Sequence, residues 1–348
     1  MEKLLSIIIP TYNMERYLER CLNSLIVNDE LMKKLEVLVI NDGSKDRSSE
    51  IAHGYEARYP QTIRVIDKEN GNYGSCVNRG LKEASGKYIR ILDSDDYYDT
   101  DNLSEFIMLL EETNADGIVS DMQWVDLEGH HRIKDSFDFN KNHASTLEEI
   151  MELPFKRIRM HSITYKTDNI RKIGYHQTEG ISYTDMEWIF LPMTTCKTLY
   201  YFPKTIYYYV EGRVGQTMDP KIYRKSFWQD IKVQMSMIES LRNFDKQSLA
   251  ATEYLNKLLI SHSLYIYRNF FLIFKMQTCY EEMVEADKFL CQVTPSVAKE
   301  LNHLHCFSPI NYHFIKHWRI SGYPRQMLAL KCGLLIGDLK KRVLKHER

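Results

Sequence analysis

The chain has 348 residues, of which 44% are hydrophobic and 27% are charged, an ordinary composition for a folded globular protein. Its formal net charge of -1 supplies no overall positive field, so nucleic acid is not an expected partner. The seven cysteines form no Cys-x-x-Cys pair, which argues against a zinc or redox site and suits a reducing, cytoplasmic compartment. No signal peptide and no apolar run of roughly 18 residues is found, so no membrane-spanning helix is predicted.

The first hundred residues alternate apolar runs, which indicate buried strands, with segments of helical spacing. Predicted strands cover residues 4–9, 35–40, 63–66 and 88–92, and predicted helices cover residues 15–27, 46–58 and 75–84. Strands separated by helices in this rhythm form a parallel, doubly wound sheet, so the predicted fold class is α/β.

The pattern becomes less regular after the first hundred residues. Residues 121–145 are polar and irregular, which predicts a hairpin or a mobile loop, and Thr146 with Glu149 forms a capping-box pattern. From residue 225 the chain is mostly helical, so a boundary is predicted near residue 220. The other predicted elements are a helix over residues 103–112, a strand over 117–120, a helix over 146–153, a helix that starts within 183–188, and a β-like segment over 199–210.

Polar clusters follow three of the predicted strands, at the point where each strand ends. Because ligands of doubly wound sheets bind beyond the carboxyl ends of the strands, these clusters are expected to converge on one rim. In the third cluster three carboxylates lie side by side, where they repel one another unless a divalent cation such as Mg²⁺ or Mn²⁺ binds them. The alternative is an acidic turn that caps the next helix. The clusters are Pro10-Thr11-Tyr12-Asn13, Asn41-Asp42-Gly43-Ser44 and Asp93-Ser94-Asp95-Asp96.

The ordered motifs at residues 7–13, 39–46 and 92–96 resemble those of the family 2 inverting glycosyltransferases. The resemblance covers roughly residues 4–218. It implies a GT-A fold, in which a Rossmann-like, mostly parallel sheet is flanked by helices. The domain would span residues 1–220, with a nucleotide-binding half over 1–100 and an acceptor-binding half over 101–220. A mainly helical C-terminal region would follow over residues 221–348.

The resemblance implies donor-binding roles for residues on the first two strand ends. Pro10, Thr11 and Tyr12 would contact the nucleotide sugar, with the Tyr12 ring against the base. Asp42 would accept a hydrogen bond from a base such as uracil. Tyr12 could instead be a plain core aromatic residue, and Asp42 could merely cap its turn, because Asn-Asp-Gly-Ser is common turn chemistry.

Further donor contacts are implied on the third helix, on the third strand end and near residue 213. Asp95 would coordinate Mg²⁺ or Mn²⁺ on the diphosphate, and Asp93 would lie near the ribose or the same metal, with Ser94 beside it. Arg213, in a segment that resembles the closing loop of the family, would meet the diphosphate, or it is a surface charge. Asn78 would contact the donor, although the arginine that family members often carry directly before it is absent.

The resemblance also implies the catalytic base. Asp185 matches the acidic residue that removes the proton from the acceptor hydroxyl, and Glu187 is its rival two residues later. Asp185 could alternatively be an acid that stabilises the start of a helix. The histidine pairs His130-His131 and His303-x-His305 lack a third ligand at useful spacing, so solvated or packed histidines are expected there.

The last residues, 327–345, predict a basic amphipathic helix. Such a helix can lie on an anionic membrane, or it can pack on the domain with solvated lysines. Membrane contact would place the protein on the inner face of the plasma membrane and would suit a lipid-linked acceptor.

The expected function is therefore metal-dependent, inverting transfer of a sugar from a nucleotide sugar. The expected donor is a UDP-sugar. The acceptor would be a hydroxyl of a glycan or a lipid-linked molecule in bacterial surface polysaccharide synthesis. The alternative is a non-catalytic member that binds a sugar nucleotide or glycan. A sugar-1-phosphate nucleotidyltransferase is disfavoured, since no glycine-rich, arginine-containing loop follows the first strand. The absence of Gly-x-Gly-x-x-Gly there disfavours a dinucleotide-dependent dehydrogenase.

Overall fold

The computed structural model describes residues 2–141, 143–213, 216, 220–242, 244, 248–304 and 313–328. The chain divides into two compact units, Met1–Gln216 and Thr217–Arg348. The sequence predicts this boundary near residue 220.

The first unit alternates strands and helices. Two short 3₁₀ turns, Met160–Ser162 and Leu191–Thr195, interrupt its second half. In chain order the elements are β1 (Leu5–Thr11), α1 (Leu18–Asn23), α2 (Asp29–Lys34), β2 (Leu35–Asn41), α3 (Ser48–Arg58), β3 (Ile63–Asp67), α4 (Asn72–Glu83), β4 (Tyr88–Ile91), β5 (Tyr97–Tyr98), α5 (Thr100–Glu112), β6 (Gly117–Val125), β7 (His131–Asp135), β8 (Ser145–Thr146), α6 (Leu147–Met151), β9 (Ile163–Lys166), α7 (Thr167–Lys172), α8 (Asp185–Trp188) and β10 (Thr198–Val210).

One mixed sheet organises this unit, in the strand order β3-β2-β1-β4-β9-β6-β10-β5. Strands β3, β2, β1 and β4 are mutually parallel, as predicted, and β6 is parallel to β10. Strand β9 runs antiparallel to both of its neighbours, β4 and β6. Because β9 is antiparallel to both β4 and β6, these two strands run in the same direction. The carboxyl ends of five strands therefore lie at the same edge of the sheet: β1, β2, β4, β6 and β10. The predicted α/β fold is confirmed.

Strands β1 and β2 are buried along nearly their whole length, which explains their continuous apolar runs. Helix α4 lies against β1 so closely that a Cβ on Gly80 would be 2.6 Å from the Ile8 side chain. In β4 the apolar run contains Arg90, which is fully buried and donates hydrogen bonds to Ser120, Thr164 and the His161 carbonyl.

The second half of the unit differs from the sequence prediction in detail. Residues up to Asp135 of the predicted polar stretch form a hairpin, in which β6 pairs with β7. The predicted capping box is confirmed, because Thr146 accepts from the Glu149 amide and Glu149 accepts from the Thr146 amide. The helix predicted over residues 15–27 is limited to Leu18–Asn23. Strands β7 and β9 and helix α2 were not predicted as elements.

The second unit is helical in its described part, as predicted. The aromatic side chains of Phe270, Phe271 and Trp318 pack together in its core, and buried Asp287 binds Arg319 at 2.7 Å. The predicted basic helix over residues 327–345 falls almost wholly on residues 329–348, which lie outside the described residues. The elements are α9 (Pro220–Ser240), α10 (Leu249–Arg268), a π-helical turn (Asn269–Ile273), α11 (Tyr280–Val293), α12 (Pro295–Leu301) and α13 (Phe314–Ile320).

No helix in the described part of the chain combines the length and the apolar character that crossing a bilayer requires.

Candidate active site

The end of β2 forms a corner around the Asp42 carboxylate, which is 3% exposed. Its Oδ1 accepts hydrogen bonds from the Lys68 ammonium and from the Gly71 amide, the latter at 2.9 Å. Lys68 also donates to the Ser75 hydroxyl at 2.8 Å, and Asn70 donates to the Asp42 carbonyl at 3.0 Å. The carboxylate therefore has a positive partner supplied by the protein itself.

The end of β1 leads directly into this corner. Thr11 is buried and donates its hydroxyl to the Ile9 carbonyl at 3.1 Å, whereas the next residue, Tyr12, is 45% exposed. That exposure excludes a core role for Tyr12 and leaves its ring face open to stack on a planar group. The Ser94 hydroxyl donates to the Pro10 carbonyl at 2.8 Å, so the ends of β1 and β4 are tied together.

Three carboxylates follow β4 in environments that differ in charge. Asp93 Oδ1 accepts from the Tyr73 hydroxyl at 2.7 Å. Asp96 is 1% exposed and accepts from the Tyr207 hydroxyl and the Val210 amide, both at 2.7 Å. Asp95 forms an ion pair with Arg213. We refer to Asp93, Asp95 and Asp96 together as the strand-β4 cluster.

These environments shift the three pKa values in different directions. Burial, with the charges of Asp95 and Asp93, raises the pKa of Asp96 well above its ordinary value. Burial also raises the pKa of Asp95, although Arg213 opposes the shift. Burial disfavours ionisation of Asp93 too, but hydrogen bonding and charge from His161 and the hydrogen bond from Tyr73 hold its pKa below the ordinary value. The cluster thus carries more negative charge than Arg213 alone balances.

A histidine that the sequence analysis did not select lies beside this cluster. His161 Nε2 is 3.5 Å from Asp93 Oδ2, and the ring is 8% exposed. Asp93, Asp96 and His161 each offer one ligand atom, and these atoms all lie within 4.8 Å of one another. Carboxylate oxygens and an imidazole nitrogen at this spacing fit a divalent cation. The structure groups Asp93 with Asp96 and His161, whereas Asp95, the other predicted ligand, is engaged by Arg213.

The predicted base and its rival have different surroundings. Asp185 begins α8, where its side chain is exposed to solvent yet crowded by protein. The reduced hydration and the charge of Asp93 raise the pKa of its carboxyl to about 6. Glu187 is buried and accepts from the Thr178 amide at 2.7 Å and from the Thr178 hydroxyl at 2.6 Å. Glu187 thus holds the loop in place, and Asp185 is the carboxylate that stays exposed.

The loop before α8 is fixed against α4. Asn78 on α4 donates to the Gln177 carbonyl and to Glu179, both at 2.9 Å, and accepts from the Gln177 amide at 2.8 Å. These bonds favour a positioning role for Asn78, and the predicted donor contact stays a prediction. A Cβ on Gly74 would lie 2.0 Å from the Thr178 carbonyl oxygen, so only glycine permits this close approach.

Other predicted features lie away from this edge or outside the described residues. His130 is exposed and bonds with Asp126 in the turn before β7, but Glu128 also lies close by, so the expected lack of a third ligand there is wrong. His305 falls outside the described residues, as do residues 214–215 and 217–219 in and after the predicted closing loop. Among the described residues of that loop, Arg213 reaches the strand-β4 cluster.

Comparison with known proteins identifies the class. Residues 6–172 match the family model described as glycosyl transferase family 2, and this region contains the ends of β1, β2 and β4. This region, just under half of the chain, is a family 2 glycosyltransferase domain, which confirms the resemblance seen in the motifs.

Individual relatives carry the same class name. MG025 of Mycoplasma genitalium, an uncharacterised glycosyltransferase, is 41% identical over 104 residues, 29% of this chain and 35% of MG025. MG060 of the same organism, also an uncharacterised glycosyltransferase, is 25% identical over 241 residues, 68% of this chain and 79% of MG060. The chain spans about a third of the length of MG025 and of its homologue in Mycoplasma pneumoniae.

A solved structure has the same fold. The crystal structure of Staphylococcus aureus TarS residues 1–349 in complex with UDP-GlcNAc superposes with a TM-score of 0.69. It covers 92% of this chain and 89% of that chain, at 21% sequence identity. This likeness confirms the GT-A fold with its helical C-terminal region.

Proposed function

We propose that the protein catalyses inverting, metal-dependent transfer of a sugar from a UDP-sugar to a hydroxyl group of a glycan or lipid-linked acceptor. The observation that supports this most directly is that the carboxylates of the strand-β4 cluster lie close to the carboxylate of Asp185. The strand-β4 cluster has more carboxylates than cationic partners, which a bound cation would balance, and exposed Asp185 lies close enough for Asp93 to raise its pKa.

Donor binding is assigned to the first two strand ends. Tyr12 would stack on the base, and Asp42, held by Lys68 and Gly71, would accept a hydrogen bond from an imide N–H of uracil. Support for UDP also comes from TarS, whose solved structure contains UDP-GlcNAc. The hydrogen bonds from Lys68 and Gly71 keep this acceptor oriented before a ligand arrives.

The strand-β4 cluster would hold Mg²⁺ or Mn²⁺, with Asp93 as a ligand. When bound, such an ion supplies Lewis-acid stabilisation of the charge that develops on the departing diphosphate. Arg213 would then leave Asp95 and contact the diphosphate, because a phosphate is the other bidentate partner that a guanidinium prefers.

Asp185 would take the proton of the acceptor hydroxyl during attack. A positioned general base contributes typically 10²- to 10⁴-fold to the rate. Its raised pKa makes it a stronger base than an ordinary aspartate while leaving it ionised at neutral pH. A single displacement, with the base and the leaving group on opposite faces of the sugar, inverts the anomeric carbon.

The acceptor is assigned only by class. TarS is named as a poly(ribitol-phosphate) β-N-acetylglucosaminyltransferase, and it is 32% identical over 124 residues, 36% of this chain and 22% of TarS. Half-buried Trp124 packs against Tyr209, and the Arg159 guanidinium covers the Trp124 ring at 4.8 Å. Half-buried aromatic side chains of this kind suit contact with a sugar or polyol acceptor.

The first experiment is a calorimetric titration of UDP, GDP and dTDP into the wild-type protein with and without Mn²⁺, followed by a transfer assay with the UDP-sugar. We expect metal-dependent UDP binding that Asp185→Asn retains, while its turnover falls about 10²- to 10⁴-fold. Asp101→Asn, an exposed aspartate on α5, is the matched control and should leave both unchanged. Binding of UDP without transfer to any acceptor or to water would favour the non-catalytic alternative, and absence of all nucleotide binding would exclude both.

A further inference from the structure

We propose that His161 is a direct ligand of the divalent cation and completes a ligand set with Asp93 and Asp96. The inference rests on the proposed metal-dependent function and adds a residue that no sequence motif indicated.

The position of the imidazole is the first support. His161 Nε2 lies 3.5 Å from Asp93 Oδ2, and the ligand atoms of His161, Asp93 and Asp96 are all within 4.8 Å of one another. Two adjacent ligands of an octahedral ion, each about 2.1 Å from it, are about 3 Å apart. Small side-chain rotations therefore bring all three groups onto one cation.

The hydrogen-bonding state of the ring is the second support. Nδ1 of His161 is buried and has no hydrogen-bond partner among the described residues. The other ring nitrogen faces a carboxylate at a distance longer than a good hydrogen bond. Since Nε2 makes no good hydrogen bond, its lone pair is free to bind a cation when the ring proton is on Nδ1.

The surroundings hold the ring in place. Its edge packs against the rings of Tyr207 and Tyr209, with centroid distances of 4.8 and 5.2 Å. Its backbone carbonyl accepts from buried Arg90. Metal sites commonly fix their ligands through such surrounding contacts.

The carboxylate partners are oriented in the same way. The Tyr73 hydroxyl bonds one oxygen of Asp93, and the Tyr207 hydroxyl bonds one oxygen of Asp96. Each carboxylate oxygen retains acceptor capacity beyond these bonds. Tyr207 thus contacts both the histidine ring and Asp96, so one side chain orients two of the three ligands.

A chemical consequence separates this ligand set from one made of carboxylates alone. Mg²⁺ prefers oxygen ligands. Imidazole nitrogen binds first-row transition-metal ions, and the affinity rises along the row, so that Co²⁺ is bound more tightly than Mn²⁺. With His161 as a ligand, the site should prefer Mn²⁺ over Mg²⁺, and removal of the imidazole should reduce that preference.

The test is electron spin-echo envelope modulation on the full chain with Mn²⁺ alone and with Mn²⁺ and UDP. We expect modulation from a coordinated ¹⁴N in the wild type, replaced by the ¹⁵N pattern after selective ¹⁵N-histidine labelling. His161→Asn should lose the signal and weaken Mn²⁺ binding about tenfold or more, since even outer-shell partners typically contribute 10- to 100-fold. His143→Asn, which changes an exposed histidine outside both groups of close ligand atoms, is the control and should change neither readout.

The outcomes separate the two proposals. Mn²⁺ binding and sugar transfer without any nitrogen modulation would overturn the His161 assignment and leave the proposed function standing. A signal that persists in His161→Asn and disappears in another histidine variant would also overturn it. If His161→Asn fails to fold, judged by circular dichroism, His161→Gln and the labelled wild type still decide the question. If the wild-type protein neither binds UDP nor transfers a sugar, the proposed function is refuted instead.

Discussion

The corner around Asp42 and the strand-β4 cluster both place buried carboxylates at the same edge of the sheet, but they balance charge differently. Asp42 has the Lys68 ammonium and a backbone amide as partners. The cluster has three carboxylates and one paired arginine, and burial together with the charges of Asp95 and Asp93 raises the pKa of Asp96 well above its ordinary value. The difference teaches that a satisfied carboxylate suits a neutral hydrogen-bonding ligand, whereas an unsatisfied group of carboxylates suits a cation.

Neutralising a ligand in the unbalanced region should have the largest effect. Asp93→Asn should lower kcat/KM about 10³-fold or more, because a metal contributes several kcal/mol of charge stabilisation and each 1.36 kcal/mol is a factor of ten. Steady-state kinetics over a Mn²⁺ titration measures it. A variant with wild-type activity at ordinary Mn²⁺ concentration would remove Asp93 from the metal site.

The same change in the balanced region should act on the nucleotide alone. Asp42→Asn should weaken UDP binding about 10- to 100-fold, because a hydrogen bond to a charged group is worth about 1.5–3 kcal/mol. Mn²⁺ affinity, measured by calorimetry without nucleotide, should stay at the wild-type value. Equal losses of Mn²⁺ and UDP affinity would break the distinction between the two regions. Lys68→Met combined with Asp42→Asn tests whether an unpaired lysine accounts for any loss of stability.

The pH dependence should show the reach of the cluster's charge. Asp185 must be ionised to act as a base, and its pKa is raised to about 6, so kcat/KM should fall about tenfold per pH unit below that value. A bound cation counteracts the charge of Asp93. In the presence of Mn²⁺, the midpoint of the fall in kcat/KM on the acidic side should therefore lie at or below pH 6. A pH–rate profile against Asp185→Glu checks the assignment. A midpoint near 4 would mean that the crowding and charge around Asp185 leave its basicity unchanged.

Stability should show the smallest effect. An aspartate whose folded pKa is raised destabilises the fold above its unfolded pKa, so Asp96→Asn should stabilise the metal-free protein at pH 7. A gain of about 1 kcal/mol would raise Tm by roughly 2–4 °C. The gain should shrink toward about pH 3, where Asp96 is largely protonated in both states, because the pKa of an unfolded aspartate is about 3.9. Thermal melts at the two pH values measure it, and a lower Tm at pH 7 would contradict the prediction.

Much of the donor side could be predicted because its signals are local. The apolar runs of β1, β2 and β4 and the polar residues that follow them are contiguous in sequence, and parallel strands bring their ends together. Strand β9 has only four residues and joins the sheet between β4 and β6, far from both in the chain. Nothing in its own sequence specifies that insertion.

The missing parts of the site depend on that insertion. His161 reaches the strand-β4 cluster only because β9 follows it directly and pairs with β4. Arg90 was included in an apolar run, although a buried guanidinium needs polar partners, and β6 and the segment leading into β9 supply them. A charged residue inside an otherwise apolar strand is the one signal that could have indicated polar groups on the neighbouring strands.

Gly74 limits how this protein could acquire a new acceptor by recombination. Exchanging residues 175–188 with the corresponding segment of a relative would transplant the base together with its loop. The graft would have to follow the same backbone path past α4, because the nearest carbonyl leaves no room for even a methyl group at position 74. Acceptor choice can therefore diversify through side chains around a conserved path more easily than through loop length, and a chimaera that lengthens this loop should misplace Asp185 before it alters the donor pocket.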